Sequence, residues 1–331
     1  MDLKKKAAEF SLLLKSIKAD EICAAGYARK YLEHLTANSE FYTAIYRQVL
    51  SDILANSGKK AGEINMVDYG CGNGLLGLFA WYCGFSKIIF QDVDEEFLTA
   101  AKNLCERFDA DKVSFVHGEI GLLINQRQSI DAIAGTDVIE HIYDLVDFFS
   151  IVRTLNPAMV TVFTTAANPF NPLIRKRLRS LHVQDEIVGG DGSGLSGNAH
   201  PPFLEARYRL ISEKFPKLEN ARELAVATRG LAGIDIKNAV QQYQLTKHLP
   251  VPAHESNTCD PLTGNWTERL LTGDEYADLF NKYGFSIEIK AGFYNSYREG
   301  AKGILAGLLN NIVSVLGKTF SPFIIITGRK K

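Results

Sequence analysis

The chain reads as an α/β protein built on a doubly wound, mostly parallel sheet. From about residue 64 apolar strand signals alternate with amphipathic helix signals, and the pattern resumes after about residue 270. Such alternation calls for parallel strands covered on both faces. The first strand also runs straight into "MVDYGCGNGLLG", residues 66–77, where four glycines and one acid separate strand from helix. Glycine admits positive φ and lets a ligand approach the main chain, so this bend is a nucleotide-cofactor signature. At 331 residues and 46% hydrophobic content there is ample material for a core.

The elements follow in order. Residues 1–60 read as a helical cover, clearest where Phe41, Ile45, Val49 and Ile53 share a face flanked by Tyr42, Tyr46 and Leu50. Residues 61–166 supply five strand candidates, "INMVDY", "KIIFQD", "VSFVHG", "IDAIAG" and "MVTVFTT". Between them Phe97, Ala101, Leu104 and Phe108 make one helical stripe, and Val146, Phe149 and Val152 another. Residues 167–270 lose this regularity, as expected of a lid, a binding loop or a small subdomain inserted after the fifth strand. They hold the basic run "IRKRLR", the glycine-rich loop "VGGDGSGLSGN", and two helix candidates near 203–214 and 236–246. Residues 271–331 return to order with "TGDEYADLFNKYG", "FSIEIKAGF", "GILAGLLNNIVSVLG" and "PFIIIT". In the last helix Leu305, Leu308, Leu309, Ile312, Val313 and Leu316 recur at helical spacing, which predicts a core-facing helix; peripheral membrane contact is the alternative.

Charge is balanced at −1, so net charge favours neither nucleic acid nor an anionic membrane as a partner. Cys23, Cys71, Cys83, Cys105 and Cys259 show no C-x-x-C spacing, so they fit a reducing compartment rather than a zinc site. The N-terminal apolar run is broken by Lys15 and Lys18, unlike a signal peptide or a span. A cytoplasmic location is expected.

Two nucleotides compete for the bend. Gly72, Gly74 and Gly77 fit the dinucleotide pattern G-x-G-x-x-G. The alternative, Asp68-x-Gly70-x-Gly72-x-Gly74, resembles motif I of the class I S-adenosylmethionine-dependent methyltransferases. Asp68 favours it, because a pyrophosphate is anionic whereas S-adenosylmethionine carries an ammonium and a sulfonium that suit a carboxylate. The resemblance continues in order along the chain. Asp92 matches the acid that bonds the ribose hydroxyls, and Gly118 and Glu119 the position that meets the adenine amino group. "IDAIAGTDVIEHIYD" looks like the fourth strand and its outlet in the small-molecule branch, often written D-x-x-E-H. "FSIEIKAGF" and "PFIIIT" look like the sixth and seventh strands, the last inserted antiparallel. The resemblance therefore implies a seven-stranded sheet and S-adenosylmethionine, with S-adenosylhomocysteine as product. It implies cofactor contacts from Asp68, Gly70, Cys71, Gly72, Gly74, Asp92, Val93, Gly118, Glu119 and Asp137. Asp94 reads as a helix cap before "EEFL", and Cys71 is there for its small size.

Methyl transfer is an in-line displacement, so the protein must align an acceptor and, for a hydroxyl, remove its proton. The outlet of the fourth strand faces the methyl group in the resembling fold, which makes His141 the first candidate base, oriented by Glu140, with His200 the second. A structural role for His141, bonding a backbone carbonyl, is the competing reading. Arg175, Lys176, Arg177 and Arg179 are either a solvated helix face or a patch that holds an anionic group of the acceptor. Tyr42 and Tyr46 are candidate covers of the site, and Trp266, Glu268 and Arg269 candidate borders of the acceptor pocket.

The expected reaction is O-methylation of a small or medium polar metabolite, such as a sugar, a glycan precursor or a quinone-like ring. Asp137-x-x-Glu140-His141 also resembles in part the metal-assisted small-RNA 3′-terminal 2′-O-methyltransferases, but only isolated His182 and His200 follow it, with no close histidine cluster, and no metal is expected. A non-catalytic cofactor-binding protein and a dinucleotide-dependent dehydrogenase are the remaining alternatives.

Overall fold

The computed structural model describes residues 2–125, 129–192 and 199–331; the tip of the glycine-rich loop, 193–198, lies outside them. The chain divides into two compact units, one made of Met1–Ile139, Asp144–Asn171 and Thr272–Lys331, the other of Glu140–Tyr143 and Pro172–Leu271.

The first unit opens with four helices, α1 (Leu3–Lys15), α2 (Ala19–Ile22), α3 (Tyr27–Ala37) and α4 (Ser39–Ser57). On α4 the predicted stripe holds, with Ile45, Val49 and Ile53 buried. Strands and helices then alternate: β1 (Asn65–Tyr69), α5 (Leu75–Tyr82), β2 (Lys87–Asp92), α6 (Glu95–Arg107), β3 (Val113–His117), β4 (Ala132–Thr136), α7 (Leu145–Leu155) and β5 (Val160–Thr165). Continuous apolar runs such as Ile88, Ile89 and Phe90 are buried throughout, as strands covered on both faces require. Asp94 is the N-cap of α6, its carboxylate accepting the Glu96 N–H. The unit closes with α12 (Gly273–Lys282), β8 (Phe285–Ala291), α13 (Ala301–Leu316) and β9 (Ile324–Lys330).

These strands form the seven-stranded sheet expected, in the order β3-β2-β1-β4-β5-β9-β8. β1 to β5 pair in parallel, while β9 runs antiparallel to both β5 and β8. The order reverses beside β1, whose neighbours are β2 and β4. In open α/β sheets ligands bind at the carboxyl ends of strands where the order reverses, and the glycine bend leaves β1 there.

Two expectations about packing are corrected. Val146 is 47% exposed, and α7 buries Leu145 and Phe148 beside Phe149 and Val152. Phe149 and Val152 of the predicted stripe are buried, and only Val146 was misplaced: Asp144, which accepts the Val146 and Asp147 N–H groups, starts the helix so that Leu145 faces inward. The larger correction concerns α13. It buries Gly303, Ala306 and Val313 and leaves Leu305, Leu308, Ile312 and Leu316 exposed, so it is not the core-facing helix its periodicity predicts. Small residues and Asn310 form the inner face, where close approach and backbone hydrogen bonds replace aliphatic packing.

The second unit is more regular than expected, with α8 (Pro172–Ile187), the two-residue strands β6 (Gly190–Asp191) and β7 (Ala199–His200), α9 (Phe203–Lys214), α10 (Ala221–Ala227) and α11 (Gly233–Thr246). The helices near 203–214 and 236–246 were anticipated, and a helix at the basic run was one of its two readings; α10 was not anticipated. The reason for α8 is its inner face, Leu178, His182 and Glu186, which hides from a hydrophobic count. Arg207, fully buried on α9, bonds the Glu186 carboxylate and donates from Nε to the Ala225 carbonyl at 2.9 Å, and Thr258 Oγ1 donates to the other Glu186 oxygen at 2.7 Å. A small apolar cluster of Ile211, Leu224, Ala225, Ile236 and Val240 completes this unit. Among the described residues no helix is long and apolar enough to cross a membrane.

Candidate functional site

The bend after β1 is built from backbone conformations that side chains resist. Gly70, Gly72 and Gly74 have φ of 59°, 51° and 77°. At Gly74 a Cβ would also come within 2.7 Å of the Ala101 Cβ, so packing of α5 onto α6 demands glycine there. At Gly72 the nearest atom to such a Cβ is 3.4 Å away, on the Tyr31 ring, so this glycine serves the turn and leaves room above the main chain. Asn73, buried, donates from Nδ2 to the Ala28 carbonyl at 3.1 Å and ties the bend to α3.

Three polar side chains hold the bend. Asp92, ending β2, accepts the Gly72 N–H at 2.8 Å on Oδ2 and the Asp94 N–H at 3.0 Å on Oδ1. Each oxygen keeps a lone pair, which suits a diol with two O–H donors. Burial raises the Asp92 pKa, with the N–H groups of Asp94 and Gly72 opposing it. Asp68 is 2% exposed and accepts the Gly77 N–H at 2.8 Å. Burial pushes its pKa well above the usual carboxylate range and Asp92 adds to the shift, while the Gly77 N–H opposes both. Among the described residues no basic side chain forms an ion pair with it, so this buried acid suits a cationic ligand group. Gln91, which the sequence reading did not single out, accepts the Gly70 N–H at 3.2 Å and donates to the Gly118 carbonyl, joining the bend to the loop after β3. Gly118 also donates its N–H to the Asp92 carbonyl at 2.9 Å, and Glu119 and Val93 are exposed beside these anchors in the chain. The Cys71 thiol is pushed well above its ordinary value by burial and by Asp68 and Asp92, which leaves it a poor nucleophile.

An aromatic wall from the N-terminal helices belongs to the same unit. Tyr27 and Tyr31 meet Phe97 edge-on at 5.3 and 5.8 Å. His34 Nε2 and the Tyr42 hydroxyl are 2.9 Å apart. Burial, with Asp137 adding to it, pushes Tyr42 up to about 12, and Tyr46 is raised well above its ordinary value by burial first. Tyr42 and Tyr46 were foreseen. Tyr27, Tyr31 and His34 were missed, although Tyr27 and Tyr31 lie one helical turn apart and so share a face of α3.

At the outlet of β4, Asp137 is exposed with φ of 52°, a left-handed conformation rare outside glycine, and its N–H donates to the Thr164 carbonyl at 3.0 Å. The second unit begins with Glu140 and His141. Glu140 is buried, and its carbonyl accepts the Arg269 N–H at 3.1 Å. His141 Nδ1 lies 2.8 Å from the Trp266 carbonyl. A carbonyl only accepts, so Nδ1 carries a proton and Nε2 is the ring nitrogen left for another partner. Trp266 packs against Tyr143, ring centroids 6.1 Å apart, and the Arg269 guanidinium lies 4.5 Å over the indole. Glu268 takes φ of 44°, and its carbonyl bonds His182 Nε2 at 3.1 Å.

His200 sits elsewhere in this unit. Its Nδ1 faces the Pro201 carbonyl at 3.0 Å, its Nε2 lies 3.7 Å from Asp185, and its ring stacks on Phe203. Arg175, Lys176 and Arg179 line one side of α8 along a groove of about 520 Å³ with Ser180 and Val183. Arg177 does not line it. Among the described residues no three His, Cys, Asp or Glu side chains group as metal ligands.

Residues 60–201 match a family described as a methyltransferase domain. Solved structures similar to this chain include an S-adenosylmethionine-dependent methyltransferase from Mesorhizobium loti, 13% identical over 82% of this chain and 93% of that one, with a TM-score of 0.42. The YcgJ protein of Bacillus subtilis is 13% identical over 86% and 99%, with a TM-score of 0.44. A SAM-dependent methyltransferase from Aquifex aeolicus is 18% identical over 36% of this chain and 62% of its own, with a TM-score of 0.32, so the match spans less than two thirds of that protein. No curated protein matches the chain.

Proposed function

We propose that the chain, whose residues 60–201 match a methyltransferase domain, is a class I S-adenosylmethionine-dependent methyltransferase that O-methylates a small or medium polar metabolite carrying an anionic group. A sugar, a glycan precursor or a quinone-like ring has the required hydroxyl. The observation that carries the oxygen assignment is the His141 tautomer: Nδ1 is committed to the Trp266 carbonyl at 2.8 Å, so Nε2 is the ring's basic atom. His200, by contrast, has both nitrogens facing protein acceptors.

In this reading Asp92 bonds the two ribose hydroxyls, Asp68 meets the positive end of the amino acid moiety, Gly118 and Glu119 meet the adenine, and Gly70, Cys71, Gly72, Gly74, Val93 and Asp137 complete the cofactor contacts. The bound cofactor supplies an electrophilic methyl group on a sulfonium. His141 Nε2 would take the proton that the acceptor hydroxyl gives up as its oxygen receives that methyl group. Glu140, buried directly before it in the chain, fixes its orientation. Arg175, Lys176 and Arg179 hold the anionic group of the acceptor, supported by the groove they line.

The domain organisation belongs to the same proposal: 1–60 cover the site, 61–166 and 271–331 hold the cofactor, and 167–270 select the acceptor. Calorimetric titration with S-adenosylmethionine, S-adenosylhomocysteine and NAD, followed by methyl transfer to hydroxyl compounds with and without a phosphate or carboxylate, tests it. Binding of the two adenosyl compounds, with turnover lost in His141→Ala at unchanged cofactor affinity, is the expected result. Turnover retained by His141→Ala at saturation removes the base, and transfer only to amines removes the oxygen assignment.

A further inference from the structure

We infer that α13 is a membrane-docking helix, which lays its outward face on a lipid surface rich in anionic headgroups.

The helix is turned inside out. Ile304, Leu305, Leu308, Ile312, Val315 and Leu316 point away from the unit, with Val315 81% and Ile304 69% exposed. At 3.6 residues per turn these six fall on one continuous side. Its opposite side is Gly303, Ala306, Asn310 and Val313.

The rotation is held by two independent anchors. Asn310 accepts the Tyr294 N–H at 2.7 Å and donates to the Tyr294 carbonyl at 3.0 Å. Gly303 lies so close to the Arg298 carbonyl that a Cβ would stand 1.8 Å from it. These residues are seven apart, two turns along one face, so together they set which side looks out. Rotating the aliphatic stripe inward would break both Asn310 bonds and drive a side chain into backbone. The exposure is therefore a built feature of the unit, and a contiguous apolar face of this size marks an interaction surface.

Charge selects the occupant. From Gly300 to Lys331 the chain contains no carboxylate side chain; the nearest, Glu299, follows Arg298 directly. Lys302 stands exposed in the first turn of the helix, and Lys318 follows its last turn with Nζ 4.4 Å over the Phe170 ring. Tyr297 before the helix and Phe320 after it are also exposed. An apolar stripe ended by lysines and aromatic rings is how a helix rests in a bilayer interface, aliphatics in the acyl boundary and cations among anionic headgroups. A second copy fits worse. Antiparallel pairing would bring Lys302 against Lys318 and parallel pairing each lysine against its equivalent, with no carboxylate on the segment to answer them.

Vesicle flotation of the full chain tests this, with phosphatidylcholine alone and with phosphatidylcholine mixed with phosphatidylglycerol. Flotation with the anionic vesicles, weakened by salt and reduced roughly tenfold or more in Leu308→Asp/Val315→Asp, is expected. That variant should keep its melting temperature and its affinity for S-adenosylhomocysteine, since both positions face outward. Failure to float, or equal flotation of the variant, overturns the inference. Sedimentation of the same proteins decides the rival occupant: a dimer that the two aspartates dissolve, without vesicle binding, means the face pairs with another copy. Cofactor affinity is read separately, so loss of flotation and failure of the proposed reaction are distinguishable.

Discussion

The glycine bend of the first unit and the α8–α9 core of the second both bury carboxylates, and they use them in opposite ways. Glu186 is consumed by its surroundings: Arg207 bonds one oxygen and Thr258 the other. Asp68 and Asp92 instead spend one hydrogen bond per engaged oxygen on backbone N–H groups and pair with no described basic side chain. A buried acid with a buried cation partner is a structural element, and separating the two is strongly destabilising. A buried acid braced only by main-chain donors keeps capacity for a ligand. The contrast teaches how to sort buried charge in this chain: by what already answers it.

The largest effect should come from breaking the answered charge. Arg207→Ala leaves Glu186 buried without its cation, which should lower stability by about 3–5 kcal/mol in urea or thermal unfolding, and Arg207→Met in combination with Glu186→Leu should recover much of that loss. If Arg207→Ala instead left stability intact and changed cofactor affinity, the second unit's network would be functional and the contrast would fail. Asp92→Ala comes next. It removes two acceptor oxygens facing the proposed ribose site, so S-adenosylhomocysteine affinity should fall roughly 100-fold, about 3 kcal/mol, with a smaller loss of stability. Asp92→Asn, which keeps one acceptor oxygen, should fall between. Calorimetry and melting on the same samples separate the two outcomes, and a stability loss with unchanged affinity would move Asp92 into the structural class.

The two regions were also unequally legible. The bend could be read because its constraints are local: glycines at fixed spacing, an acid ahead of them, and an acid ending the next strand. The mostly parallel sheet followed from alternation of the two periodicities, and its antiparallel last strand from the family resemblance; the strand order came only with the structure. Gln91 escaped notice because its role depends on the register that sets β2 beside β1 and β3, which no spacing within one segment encodes. The inner face of α8 was hidden for a related reason, since it carries His182 and Glu186, whose partners Glu268, Arg207 and Thr258 lie far along the chain. For α13 the period was legible but its sense was not. Hydrophobic periodicity reports that a stripe exists, and only Asn310 and Gly303, docked on Tyr294 and Arg298, decide which way it faces.

The smallest expected effect sharpens the comparison at Asp68. Burial holds its carboxyl well above the ordinary value of 3.8, with Asp92 adding to the shift and the Gly77 N–H opposing it. The folded protein thus keeps a proton there that the unfolded chain has released, so this group's contribution to stability is full below 3.8 and is lost as pH rises through the raised value. A cationic ligand group favours the carboxylate and so expels that proton on binding. Affinity for S-adenosylmethionine should therefore rise with pH, by up to about tenfold per unit while Asp68 is protonated in the free protein, then level off once it ionises. Calorimetry in two buffers of different ionisation enthalpy reads the released proton directly. Asp68→Asn, which can still accept the Gly77 N–H, should bind more weakly at the upper end of the range and lose both the pH slope and the proton release. A wild-type affinity flat with pH and matched by Asp68→Asn would mean that the carboxylate only braces the first turn of α5, which would make it as structural as Glu186.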